Sequence, residues 1–221
     1  MIEDGARDIR KDAAVVRVSL LPSFAANWLV PRLPRFREMY PDIVLDLDPT
    51  LEVVDLKTGM TDLAIRYGVG RWPDVEADLL MAERLAPVLS PALLGSARPL
   101  LEPADLLQHT LLLTRSPFDW KLWAKTAGLD FTKARTMQLV DYNVVIQAAV
   151  EGQGVGLGRA TLVRDRVSAG GLVAPFPFTM SHEGASYWLL TSRTSFPSES
   201  VTLFKRWLMD EAQAFSRESL E

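Results

Sequence analysis

Between Val15 and Ile43 the chain reads VVRVSLLPSFAANWLVPRLPRFREMYPDI, a β-rich run, a break at Pro22 and Ser23, then an amphipathic stretch that Pro41 ends. No other part of the sequence constrains the fold as much. Val15 to Leu21 is short and apolar enough for a buried strand. Ser23 suits a helix N-cap, because its hydroxyl accepts from an amide that the first turn leaves free. Leu29, Leu33 and Phe36 then recur at helical spacing, which puts Arg32, Arg35 and Glu38 on the opposite, solvent-facing side. Pro31 and Pro34 lack the donors a regular helix uses, so a kink or a late start is expected near Pro31. A strand that turns tightly into a helix is the building unit of parallel α/β sheets.

The alternation continues down the chain. Ile43 to Asp48, Asp62 to Tyr67, Ala77 to Ala82, Leu85 to Ser90, Leu111 to Thr114, Thr136 to Val140, Val155 to Gly158 and Ser186 to Thr191 read as strands. Helices are expected over Glu52 to Lys57, Pro91 to Leu94, Trp120 to Ala127, Tyr142 to Glu151, Ala160 to Ser168 and Ser198 to Phe215. Gly59, Gly128, Gly152 and Gly170 stand where four of them would end. Strands alternating with helices imply an α/β fold with parallel pairing. A chain of 221 residues has room for one large domain or two small lobes sharing a cleft.

Several chemistries are excluded or weakened. Lys and Arg number 24 against 28 Asp and Glu, a net charge of −4, so the overall field does not favour a polyanion. There is no cysteine, hence no disulfide, thiolate metal site or thiol nucleophile. The only imidazoles, His109 and His182, lack spaced carboxylate partners and are expected at the surface. Asp46 and Asp48 read as a solvated strand face rather than a metal site, and Arg32, Arg35 and Arg37 as the polar side of a helix. No apolar run reaches the ~18 residues of a membrane span. The N-terminus is charged from its third residue and has no apolar core, so it is no secretory signal, and a cytoplasmic location is the default expectation.

Gly152, Gly154, Gly156 and Gly158 do not make a dinucleotide fingerprint, because the sixth position is Leu157 or Arg159 and the run enters a strand from a helix. They read as a helix end followed by a strand packed closely on its neighbour. Two helix starts remain as sites of interest, Ser23 and the Asp141-Tyr142-Asn143 group. Each is either a plain cap or a contact for an anionic group, since a helix N-terminus offers free amides and partial positive charge.

The strings LPSFAANWLVPRLPRFREMYPDI, DLAIRYGVGRW, APVLSPALL, LEPADL with HTLLL, IQAAVEGQGVGLGR and YWLL carry a resemblance. In that order they resemble the effector-binding domain of LysR-type transcriptional regulators, in the branch that holds the glycine-cleavage activator and the β-lactamase regulator AmpR. The resemblance implies two Rossmann-like lobes in type II periplasmic-binding-protein architecture with a cleft between them. Lobe one would comprise residues 15–86 plus 187–221, lobe two 87–186, and residues 1–14 the end of a linker helix or a tag. A small-molecule effector would sit in the cleft, touched by Ser23, Phe24, Asp55, Arg66, Tyr67, Trp72, Asp141, Tyr142, Asn143 and, near the hinge, Tyr187. The family often has serine or asparagine where this chain has Tyr142, and a tyrosine there narrows the pocket and supplies a phenol.

The same resemblance implies a homodimer or homotetramer to which the Pro31 to Met39 helix contributes, with no cofactor, no metal and no catalysis. DNA contact would belong to an N-terminal winged helix-turn-helix, expected to be missing from this chain. Two rivals share the fold. A free-standing solute-binding protein would want a signal peptide or a lipobox cysteine. An enzyme would need a poised acid or base, which two loop histidines and scattered carboxylates do not assemble.

Overall fold

A computed structural model of the chain describes residues 14–95, 100–114, 118–180 and 185–218. In chain order the first strands are β1 (Ala14–Leu20), β2 (Ile43–Pro49), β3 (Leu63–Gly68), β4 (Val75–Ala82) and β5 (Arg84–Val88). They are followed by β6 (Leu111–Leu113), β7 (Thr136–Gln138), β8 (Val155–Arg159), β9 (Thr179–Met180) and β10 (Ser186–Ser192). These strands form two five-stranded sheets, ordered β2-β1-β3-β10-β4 and β7-β6-β8-β5-β9.

In each sheet the three strands joined by helices are parallel: β1 to β2 and β3, and β6 to β7 and β8. The remaining pairs are antiparallel, because the chain reaches those strands by crossing between the sheets. One crossing is a single residue, Glu83, between β4 and β5; the other lies between β9 and β10. β1 sits between β2 and β3, and β6 between β7 and β8, so each sheet has a point where the strand order reverses. In open α/β sheets such reversals leave a crevice at the carboxyl ends of the strands.

The helices are α1, a helical run over 22–39, then α2 (Pro91–Leu94), α3 (Phe118–Thr126), α4 (Tyr142–Val150), α5 (Ala160–Ser168) and α6 (Glu199–Glu218). The largest core cluster joins both halves, packing Val18, Phe24, Trp28, Phe36, Ile65 and Phe204 in continuity with Val88, Leu112, Ile146 and Val163. Among the described residues no helix is long and apolar enough to cross a membrane.

α1 departs from the expectation. It opens at Pro22, with Leu21 in the cap position, so Ser23 lies inside the first turn and is not the N-cap. Proline suits that first helical position because its missing N–H would be unsatisfied anyway. The run then widens to a π turn at Ala25–Leu29 and tightens to a 3-10 turn at Val30–Arg32 before resuming as α-helix at Leu33–Met39. Pro31 and Pro34 explain the irregularity, since neither can donate to the carbonyl four residues back. The change of pitch also turns Arg32 inward. Its guanidinium donates to the Trp28 carbonyl at 2.8 Å and lies 4.7 Å from the Trp28 ring centre, so Arg32 is not on the solvent side. Arg35 and Glu38 remain exposed as expected.

Other expectations shift as well. Of the helix foreseen over Glu52 to Lys57 only a 3-10 turn at Leu56–Thr58 forms, because the Asp55 carboxylate accepts from the Lys57 amide at 2.8 Å and sets a local turn. Gly59 closes it in the left-handed region, with φ of 72°. His109 is buried, at 4% exposure, where a 3-10 turn at Pro103–Gln108 ends, so it is not a surface residue. His182 lies outside the described residues. The glycine run behaves as read: Gly152 follows α4 with φ of 70°, and a side chain on Gly154 would collide with the Thr110 carbonyl oxygen.

Candidate functional site

The carboxyl ends of strands from both sheets converge on one cleft of about 310 Å³. β1 delivers Leu21, Pro22 and Ser23, β2 delivers Leu51, and β3 delivers Tyr67. From the other sheet β6 delivers Thr114, β7 leads into Val140, Asp141 and Tyr142, and β8 ends in Arg159. The volume is that of a site for a small organic molecule. Leu21, Pro22, Leu51 and Val140 give an apolar wall, and hydroxyls, a carboxylate and a guanidinium are set among them.

Each polar group is held by local chemistry. Asp141 caps α4, its carboxylate accepting from the Asn143 amide at 2.6 Å. The Tyr142 hydroxyl donates to the Leu157 carbonyl at 2.8 Å and accepts from the Arg159 amide at 2.7 Å, which pins the ring across the cleft side of β8. Burial pushes the Tyr142 phenol well above the ordinary tyrosine range, so it stays protonated. Arg159 lies 4.0 Å from the Tyr67 ring centre and 4.9 Å from that of Tyr142, and its Nη2 donates to Asp119 at 2.9 Å. Such a guanidinium is planar, desolvated and ion-paired at once.

Behind the Ser23 wall Asn27 ties the halves together. Its Nδ2 donates to the Ser23 carbonyl and to Asn143 Oδ1, both at 2.8 Å, and its Oδ1 accepts from Arg166 of α5. Asn27 is nearly buried inside the π turn, a helical irregularity that often marks functional positions.

The ten residues named from the sequence fall into three groups. Ser23, Tyr67, Asp141 and Tyr142 line the cleft together. Phe24, Tyr187 and Asn143 support it from behind. Phe24 and Tyr187 are fully buried, with ring centres 4.9 Å apart, and Tyr187 packs under Tyr67 at 5.3 Å. Asp55, Arg66 and Trp72 stand away from the lining. Asp55 is exposed and caps its 3-10 turn, and Trp72 packs edge-on against Trp188 at 6.3 Å. Arg66 is buried and donates to Ser19 Oγ and the Glu52 carbonyl, which anchors the loop carrying Leu51 to the cleft.

Two groups of consequence were not named from the sequence. Arg159 was visible only as the residue that ends the glycine alternation. Glu83 carried no motif, yet it is fully buried at the crossing and accepts from the Arg84 amide at 2.9 Å and the Thr161 amide at 3.1 Å. Burial pushes its carboxyl up to about 7. A charged pair, Glu83-Arg84, interrupting the apolar run LLMAERLAPV was the available signal.

Comparison with known proteins gives a consistent result. A family model described as the LysR substrate binding domain matches residues 10–213. The glycine cleavage system transcriptional activator of Escherichia coli (strain K12) is 36% identical over 206 residues, covering 93% of this chain and 67% of that protein. The transcriptional activator AmpR of Pseudomonas aeruginosa is 33% identical over 205 residues, covering 92% of this chain and 68% of that one. Among solved structures, the effector domain of AmpR of Pseudomonas aeruginosa aligns with a TM-score of 0.80 at 32% identity, covering 95% of this chain and all of that one. The AmpR effector binding domain from Citrobacter freundii aligns with a TM-score of 0.78 at 26% identity, covering 91% and 99% of the two chains. The chain thus spans about two thirds of the length of the curated relatives and nearly the whole of the solved effector domains.

Proposed function

Because the chain belongs to the LysR substrate-binding domain family, we propose that it is the effector-sensing and dimerising regulatory part of a bacterial LysR-type regulator. A small molecule binds between lobe one (15–86 plus 187–221) and lobe two (87–186), at Ser23, Tyr67, Asp141 and Tyr142. Arg159 joins them, with Phe24, Asn143 and Tyr187 in support, and Asp55, Arg66 and Trp72 act only through neighbouring loops. The effector favours one arrangement of the lobes and so shifts the population toward it. A homodimer or homotetramer passes that shift to an N-terminal DNA-binding domain, in the cytoplasm and without catalysis. The observation that carries this reading is the cleft at the strand-order reversals of both sheets, in a chain whose relatives are transcriptional activators. Those relatives favour it over a free-standing solute-binding protein of the same fold.

The test is a thermal-shift screen of a metabolite library on the chain, repeated with Ser23→Val and Val140→Trp. A true effector raises the melting temperature of the wild type and loses that effect in both variants. Hits that ignore both substitutions, or a library without hits, would sink the proposal.

A further inference from the structure

Around Arg159 several buried polar atoms make no hydrogen bond, and two of them, Glu83 Oε2 and Arg159 Nε, are complementary, with the open Tyr187 hydroxyl facing both groups. Glu83 uses only Oε1, for the Arg84 and Thr161 amides, and its Oε2 makes no hydrogen bond. Arg159 uses Nη2 for Asp119, and its equally buried Nε donates to nothing. Native interiors leave few polar atoms open, and an acceptor and a donor open in one cluster point to a second arrangement that joins them. The two groups already sense each other, since the Arg159 charge favours the ionised form of Glu83.

Resting on the reading of the cleft as the effector site, we propose that Arg159 has two stations, the one seen here on Asp119 and a second on Glu83. Loss of the Glu83 proton draws Arg159 to the second station, and the proton load of Glu83 thereby sets the wall that the cleft presents to its effector.

The groups facing this exchange come from every element packed around it. They are Asp119 from α3, Tyr142 from α4, the Thr161 amide from α5, Tyr67 from β3, Tyr187 from β10 and the Arg84 amide from β5. The Arg84 side chain is exposed and takes no part. With its carboxyl pushed up to about 7 by burial, Glu83 is protonated in mild acid and ionised in mild alkali. A neutral acid tolerates one open oxygen, whereas a buried carboxylate needs a counter-charge. Arg159 is the cation in reach. Moving to Glu83 takes the guanidinium from its place beside Tyr67 and Tyr142, where it is part of the cleft lining.

The test is carbon NMR of the whole chain labelled at arginine Cζ and glutamate Cδ, titrated from about pH 5 to about pH 9 across the ordinary range of a raised carboxyl. Arg159→Lys and Glu83→Gln identify the two signals. In the wild type both signals move together with a midpoint near pH 7. Glu83→Gln holds Arg159 at its low-pH position throughout, and Asp119→Asn moves it toward the high-pH position even in acid. An Arg159 signal that stays flat while Glu83 titrates, or that still titrates in Glu83→Gln, overturns the switch. Should Glu83→Gln not fold, the Asp119→Asn comparison decides alone. A ligand found in the cleft beside a flat Arg159 signal refutes the switch and leaves the effector reading standing. A titrating Arg159 beside a cleft that binds nothing in the screen supports the two stations and refutes the effector reading.

Discussion

Asn27 joins three elements with one amide group, and its neighbours show how much a single side chain carries here. Asn27→Ala removes two donated bonds and leaves Arg166 without its acceptor. Expected destabilisation is about 2 kcal/mol, measurable by urea unfolding. Glu83 makes the opposite case, a group whose ionisation opposes folding. Its folded pKa is raised, so the native state keeps a proton that the unfolded chain releases between 4.5 and about 7. Stability therefore falls as pH rises through that window and levels off above it, by roughly 3 kcal/mol in all. In Glu83→Gln the slope disappears, and unfolding curves at pH 5 and pH 8 coincide far more closely than in the wild type. At this scale the sequence was partly readable. Ser23 and Asp141 stand at chain breaks, where turn chemistry marks them. Arg159 and Glu83 acquire meaning only by meeting Asp119, Thr161 and the tyrosines across the fold, and nothing local records those meetings.

Elements were the most legible level, with failures where a side chain or a proline overrode the pattern. The strands around β1, β3 and β8 follow from apolar runs bounded by breakers, and α4 and α6 from helical spacing. α1 was read at regular helical spacing with a kink or a late start near Pro31, but its π and 3-10 turns change the pitch already after Phe24, which is why Arg32 faces Trp28. β9 is two residues long and leaves no periodic trace. The glycines of β8 provide a graded test of packing. In Gly158→Ala the new carbon meets the Val88 methyls at 2.7 and 3.0 Å, side-chain atoms that can yield in part, for an expected loss of about 2 kcal/mol. In Gly154→Ala it meets the Thr110 carbonyl, which already accepts from the Val155 amide at 2.8 Å. That carbonyl cannot retreat without breaking the bond that leads into the β6–β8 pairing, so Gly154→Ala is expected to lose more than Gly158→Ala. Denaturant midpoints of the two variants would reverse the argument if they ranked the other way.

Across the whole molecule, the halves are joined a second time at Phe215, by residues that do not line the cleft. Arg164 of α5 donates to the Phe215 carbonyl at 2.7 Å and stacks on that ring, and Arg32 stacks on Phe215 from α1. Loss of Arg164 is expected to loosen the halves without touching the lining. Arg164→Ala should broaden the small-angle scattering distance distribution and weaken binding of any effector that requires one lobe arrangement. An effector that binds the native state alone should stabilise the chain by about 2.7 kcal/mol at a hundred times its dissociation constant.

Every residue of the lining stands near or just past the end of a strand, and none lies within the paired stretch of a central strand except Tyr67, one rung from the end of β3, and Arg159 at the last rung of β8. The rim can therefore be rewritten one residue at a time while the sheets keep their register. For a lineage of such sensors, adopting a new compound is a short evolutionary walk around the edge of an unchanged scaffold, and Leu51, Val140 and Tyr142 are where its first steps fall.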